Sequence, residues 1–255
     1  MEVSEQSEKL TFNCPYENCD GSGLILNIEL NTATMCKCYY DQIMDKKLQF
    51  ANIPEEFKEL TVNSFEIDCY STDVNRSKAA TAKKVAVNFI KNYNRFKDEG
   101  KGLYFYSEIK GSGKTRLMAS IGNALIKTKR IGVKYITTID LLNEIKKTFN
   151  KDSKITESDL INSIKEVEVL ILDDVGVEDP SAWVKTTFYS ILNGRMIGKK
   201  VTLFTSNSTI DELRHDDRIR NRIEKMAIPV HFPEESIRTK IAKSENEELQ
   251  RLLLE

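Results

Sequence analysis

Residues 108–115, EIKGSGKT, close on the glycine-lysine-threonine end of a phosphate-binding loop, whose full signature is G-x-x-x-x-G-K-[ST]. Gly111 and Gly113 let the backbone curl so that successive N–H groups face phosphate oxygens, with the N-terminus of a following helix behind them. Lys114 has the reach to meet the β- and γ-phosphates of ATP, and the Thr115 hydroxyl can take magnesium. Lys110, Ser112 and Arg116 complete the candidate contact set. The first glycine of the signature is absent, and Glu108 stands in its place. A carboxylate aimed into the loop repels the triphosphate, whereas one aimed outward at the strand exit leaves the cradle intact, so reduced affinity is expected more than lost binding. An accidental Gly/Ser turn has the same composition; what argues against it is the apolar strand before the motif and the helix after it.

Downstream, the apolar run VEVLILDD ends in Asp173 and Asp174. Asp173 fits the magnesium ion, and Asp174 fits the position that orients an attacking water. Paired acids after a strand are also ordinary caps and turns, and it is their company with the loop that favours the ion. Cys14, Cys19, Cys36 and Cys38 form C-x4-C-x16-C-x-C. Four thiolates suit tetrahedral Zn2+, which would fix a segment too short to fold by burial; redox thiols or chance clustering are the alternatives. Cys69 stands apart as a buried or neutral residue. Residues 140–154, DLLNEIKKTFNKDSK, combine Lys146, Lys147, Lys151 and Lys154 with Phe149. Such a mixture can track a single-stranded DNA backbone and stack a base, or form an exposed amphipathic helix with Phe149 in the core.

These residues need a scaffold that brings loop ends together. Short apolar runs at 102–107, 133–138, 167–174 and 201–206 read as strands, separated by amphipathic helical stretches. Strand and helix in alternation predict an α/β fold, a parallel sheet covered by helices on both faces with ligands at the carboxyl ends of the strands, and the motifs fall there. Ahead of it, a helical stretch around 77–96 places Ala80, Val85, Phe89 and Tyr93 near one face, and residues 39–59 read as a helical connector. The expected division is residues 1–50, a four-cysteine zinc-binding domain and connector, and 51–255, the nucleotide-binding domain.

The 255 residues carry 38 basic and 39 acidic side chains, so any nucleic acid must be held by local patches rather than by bulk charge. No apolar run approaches the ~20 residues of a membrane span, and the N-terminus lacks a signal pattern. No membrane association, a cytoplasmic location and reduced thiols are therefore expected.

From about residue 50 onward the chain resembles AAA+ ATPases, and among them helicase loaders of the DnaC/DnaI kind and their transposition relative IstB. The resemblance rests on GSGKT, on LILDDVGVE (170–178) before a helix containing Trp183, on FTSN (204–207), on DRIRNRIEK (217–225) and on ESIRTKIA (235–242). It implies that Asn207 senses the γ-phosphate, that Arg218 is an arginine finger reaching a neighbour's nucleotide, that Arg238 is the second sensor and that Phe65 packs the adenine. By spacing alone, Arg218, Arg220 and Arg222 are a solvated helix face, Thr205 to Asn207 a helix cap before IDELR, and Phe65 a core residue. The resemblance further implies a DnaB-type replicative helicase as partner gripped by the cysteine domain, single-stranded DNA along 140–154, and self-association into a ring or spiral, a hexamer. Asp174 stands where many AAA+ proteins carry glutamate, which implies slow hydrolysis. Two other readings are an IstB-like transposition ATPase acting on duplex DNA and a zinc adaptor that binds ATP without turnover.

Overall fold

The computed structural model describes residues 14, 19, 22–27, 30–150, 155–178 and 181–254. Its centre is a sheet of five strands, β3 (Gly102–Tyr106), β4 (Val133–Thr137), β5 (Val169–Val175), β6 (Val201–Ser206) and β7 (Ala227–His231), in the order β4-β5-β6-β3-β7 and parallel throughout. Successive side chains point to opposite faces, and both faces are covered, which is why the inner strands read as unbroken apolar runs. Leu103, Phe105, Ile171 and Leu203 pack on one side with α2 (Asp73–Lys91) and α4 (Lys114–Lys129). Tyr104, Leu170, Leu172 and Phe204 pack on the other with α5 (Thr138–Lys147), α6 (Glu157–Glu166), α7 (Ala182–Ile197) and α8 (Asp217–Met226). The expected α/β architecture is the one observed.

Two elements differ from the sequence reading. The buried stripe of α2 is Ala79, Ala82, Ala86 and Phe89, while Ala80 is exposed and Val85 only partly covered. Small side chains bring α2 close to α4, so the packing face follows the alanines rather than the bulkier residues. The helix also ends at Asn92, whose Nδ2 donates to the Asn88 carbonyl before α3 (Tyr93–Glu99) begins. Strand β7 has no counterpart among the predicted strands. Its AIPVH sequence holds Pro229, which is tolerated because β7 is an edge strand.

The N-terminal part is an antiparallel pair, β1 (Leu24–Asn27) and β2 (Thr32–Met35), followed by α1 (Cys38–Ala51). Helix α1 packs on α4 and β4, where Ala51 and the following Ile53 are buried. Arg130 lies 4.6 Å over the Tyr40 ring, and Lys134 lies 5.4 Å over Phe50. The expected division after residue 50 falls in the last turn of this helix. Beyond β7, α9 (Ile237–Leu254) closes the chain. Among the described residues, no helix is long and apolar enough to cross a membrane.

Candidate functional site

The loop between β3 and α4 turns through left-handed glycines, with φ of 76° at Gly111 and 95° at Gly113. A side chain at Gly111 would also meet α9, because its Cβ would lie 2.9 Å from the Arg238 Cβ. The backbone N–H groups of Ile237 and Arg238 donate to the Gly111 carbonyl at 2.9 and 3.3 Å, which ties the start of α9 to the loop. Lys114 is nearly buried, and its Nζ donates to the carbonyls of Ser107 and Ile109 at 3.1 Å each and to Ser112 Oγ at 3.3 Å. Burial lowers its proton affinity, and the nearby carboxylates of Asp174, Glu234 and Asp173 oppose that effect.

Asp173 is a buried acceptor at the end of β5. Thr115 Oγ1 donates to it at 3.0 Å, Tyr135 OH at 2.6 Å, and Thr205 Oγ1 bonds it from β6. Hydroxyls from three elements therefore fix one carboxylate. Together with Thr115 it presents hard oxygen donors beside the loop, the donor type that suits Mg2+ shared with phosphates and water. Asp174 holds a left-handed backbone, φ 55°, with its N–H donated to Thr205 Oγ1 at 2.9 Å. Burial and the adjacent Asp173 hold its carboxyl above the usual carboxylate range, against the pull of Lys114, Arg238 and Lys110.

A cavity of about 380 Å³ opens here. Lys110, Gly111, Ser112, Gly113, Lys114, Thr115, Arg116, Asp174, Asn207 and Arg238 all line it, so ten residues singled out in four separate motifs converge. Phe57, Ile237 and Ile241 supply an apolar wall, as a base-binding flank requires. Glu108 is exposed and outside this lining, as expected of a carboxylate that points outward. Phe65 is also outside it. Its ring is buried beneath Gly113, between the rings of Tyr70 and Phe232, so the structure makes it a support of the loop, and the cavity's aromatic residue is Phe57. Residues 209–213 form a turn rather than a helix, so Asn207 caps no helix there.

The three arginines of α8 lie away from the cavity. Arg220 is tied to the Asp211 carbonyl and to Asp217, and Arg222 to Asn193 and Tyr189 of α7. The Arg218 side chain is 75 % exposed and meets the Asp216 carboxylate at 3.3 Å. In the basic stretch, Phe149 is 54 % exposed, not in the core. It meets Trp183 edge-on at 5.8 Å, and Lys146 lies 5.3 Å over the same indole. Lys147 is exposed nearby, and Lys151 and Lys154 lie outside the described residues. Trp183, Tyr135, Thr205 and Phe57 were not among the site residues named from the sequence, because each looks like a core or turn residue until the fold brings it to its partner.

The four N-terminal thiols converge, all sulfurs lying within 4.8 Å of one another. Cys14 and Cys36 are 3.8 Å apart, and Cys19 and Cys38 3.5 Å, close to the ~3.8 Å edge of a tetrahedron with zinc–sulfur bonds of about 2.3 Å. Burial and the neighbouring thiols push the Cys38 thiol up to about 12, an electrostatic penalty that a divalent cation offsets. Cys38 is the first residue of α1, where the helix dipole also favours thiolate. The donor set fits Zn2+.

The profile of the bacterial DnaA ATPase domain matches residues 62–228. The replicative helicase loader DnaI of Bacillus subtilis is 27% identical over 234 residues, which cover 88% of this chain and 72% of that protein. The replicative helicase loader DnaC of Buchnera aphidicola subsp. Baizongia pistaciae is 32% identical over 151 residues, 59% of this chain and 58% of that one, so the chain spans little more than half of this relative. A crystal structure of DnaI superposes with a TM-score of 0.57 at 30% identity, covering 71% of this chain and 94% of that one.

Proposed function

The chain belongs to the bacterial DnaA ATPase-domain family of AAA+ proteins, and on that premise we propose that it is an ATP-dependent loader of a hexameric, DnaB-type replicative helicase onto single-stranded DNA. The observation that carries the proposal is the split of its machinery. Ten candidate residues line one cavity, while Arg218 lies outside that lining with its side chain 75 % exposed, as suits an arginine meant for a neighbouring subunit's nucleotide. In this reading the loop N–H groups and Lys114 hold the triphosphate, and Thr115 and Asp173 hold Mg2+, whose charge neutralises the phosphates. Asp174 accepts the proton of the attacking water, Asn207 and Arg238 register the γ-phosphate, and Arg218 stabilises charge developing across the interface. The subunits form a ring or spiral. Lys146, Phe149 and Trp183 provide a stacking platform for single-stranded DNA, and the four-cysteine zinc domain grips the helicase, two roles that fit the helicase loaders among the relatives.

The test couples loading to turnover. With a DnaB-type hexamer and circular single-stranded DNA, wild-type chain plus ATP should leave salt-resistant helicase on the circle, and Lys114→Ala should not. Mixing Arg218→Ala with Asp174→Asn, each inactive alone, should restore part of the ATPase activity, because some interfaces then pair an intact site with an intact finger. Loading that ignores ATP, or recovery of a transposase rather than a helicase as the bound partner, overturns the proposal. If Arg218→Ala keeps full turnover while Arg222→Ala loses it, the finger is Arg222.

A further inference from the structure

Resting on that trans-arginine reading, we propose that Tyr189 of α7 is the positioning residue for the α8 arginines. Its ring carries both guanidiniums that face α7, with Arg222 centred 4.1 Å and Arg218 5.5 Å from the ring centroid. The two arginines are held unequally. Arg222 donates to Tyr189 OH at 2.7 Å, to Asn193 Oδ1 at 2.9 and 3.0 Å, and through Nη1 to the backbone carbonyl of Arg218 at 2.8 Å. It is bolted to α7 and in turn clamps the main chain of its neighbour. Among the described residues, the Arg218 side chain has the 3.3 Å contact with Asp216 and the ring face.

An arginine acts on a transferring phosphoryl group only if its charge is already placed where negative charge develops, and a long, solvated side chain samples many directions. A ring face restricts that sampling without presenting a carboxylate that would neutralise the guanidinium. Asp216 is held as the cap of α8, its Oδ1 accepting the Ile219 N–H, and meets Arg218 at one point through Oδ2 at 3.3 Å. The second restraint is aromatic, and it comes from Tyr189. The same ring lies outside the cavity of its own chain, so its influence on catalysis runs through the arginines.

This role is directional, which separates it from a tyrosine that merely clamps α7 to α8. Tyr189→Leu should lower the ATPase kcat of the assembly by about two- to fivefold, the worth of a cation–π restraint at an exposed site lost in the transition state, with the KM for ATP little changed. Tyr189→Phe, which keeps the ring face, should recover most of the loss. An equal mixture of Tyr189→Leu with Asp174→Asn should exceed the sum of the two alone, because the first still offers an intact site and the second an intact, correctly held finger. Wild-type turnover in Tyr189→Leu overturns the inference. So does a mixture that stays at the sum while the Arg218→Ala and Asp174→Asn mixture recovers, because the tyrosine then serves its own chain's site. If that reference mixture also stays dead although the chains co-assemble, the trans-arginine reading itself falls and takes this inference with it.

Discussion

Replacing Asp174 by Asn should make the nucleotide-free protein more stable while removing its turnover. The carboxylate is partly buried next to Asp173, and those two influences outweigh Lys114, Arg238 and Lys110. Two like charges in an effective dielectric near 20 repel by about 4 kcal/mol at 4 Å and about half that at twice the distance. The opposing cations and residual solvent exposure reduce the net gain from neutralisation to about 1 kcal/mol. The left-handed backbone at Asp174 accepts Asn without added strain. For a chain of this size the thermal midpoint should rise by about 2–4 °C at pH 7.5, while loss of the proton acceptor lowers kcat by roughly 10²-fold or more. The pH dependence has a fixed sign. A carboxyl whose folded pKa lies above its unfolded value burdens the fold at pH above the folded pKa, and that burden lifts as pH falls toward the ordinary range near ~3.9. The stability difference between variant and wild type should therefore be full at pH 7.5 and shrink toward pH 4 in thermal melts. An Asp174→Asn protein that melts lower than wild type at pH 7.5, or a difference that grows on acidification, refutes the electrostatic account.

Lys114→Ala should weaken ATP binding by at least roughly 10²-fold, the worth of a charge-assisted phosphate contact or two, with an unchanged circular dichroism spectrum; unaltered affinity in a fluorescent-nucleotide titration would show that the loop is not the site. Glu108→Gly should leave that affinity within about twofold, because an exposed carboxylate outside the cavity interacts weakly through water, and a large gain would mean that it faces the phosphates. Elemental analysis should find about one zinc per chain, lost in the Cys36→Ser/Cys38→Ser double variant along with helicase binding, while ATP affinity survives; full metal retention contradicts the four-cysteine site. Trp183→Ala and Phe149→Ala should each lower affinity for single-stranded oligonucleotide by about tenfold, the lower end of a lost base stack, and unchanged binding of both removes the platform.

The phosphate loop and the acid pair were legible because their chemistry is carried by backbone curvature and by residues adjacent in sequence. GSGKT needs only its own glycines, and Asp173 follows directly from the strand that delivers it. Residues that matter through a partner on another element were not legible in the same way. Tyr135 and Thr205 look like ordinary strand residues until β4 and β6 flank β5 and turn both hydroxyls onto Asp173. Phe65 and Phe57 are indistinguishable as types; burial beneath Gly113 separates the one from the cavity that the other lines. Alanine spacing in α2 was hidden for a related reason, since close helix approach selects small residues and a search for bulk passes over them. Strand β7 was masked by a proline that only an edge position can tolerate.

Helix α1 has metal-ligand geometry at one end and the protein core at the other. Cys38 opens it and Ala51, fully buried, ends it, a rigid rod of roughly 21 Å at 1.5 Å per residue. It rests on both α4 and β4, and it meets α4 near that helix's C-terminal end, where Arg130 lies over the Tyr40 ring. The rod thus spans from the cysteine cluster to the layer of the core that includes the helix following the phosphate loop. The cysteine cluster is thereby joined to the nucleotide-binding core by one continuous helix rather than by slack chain.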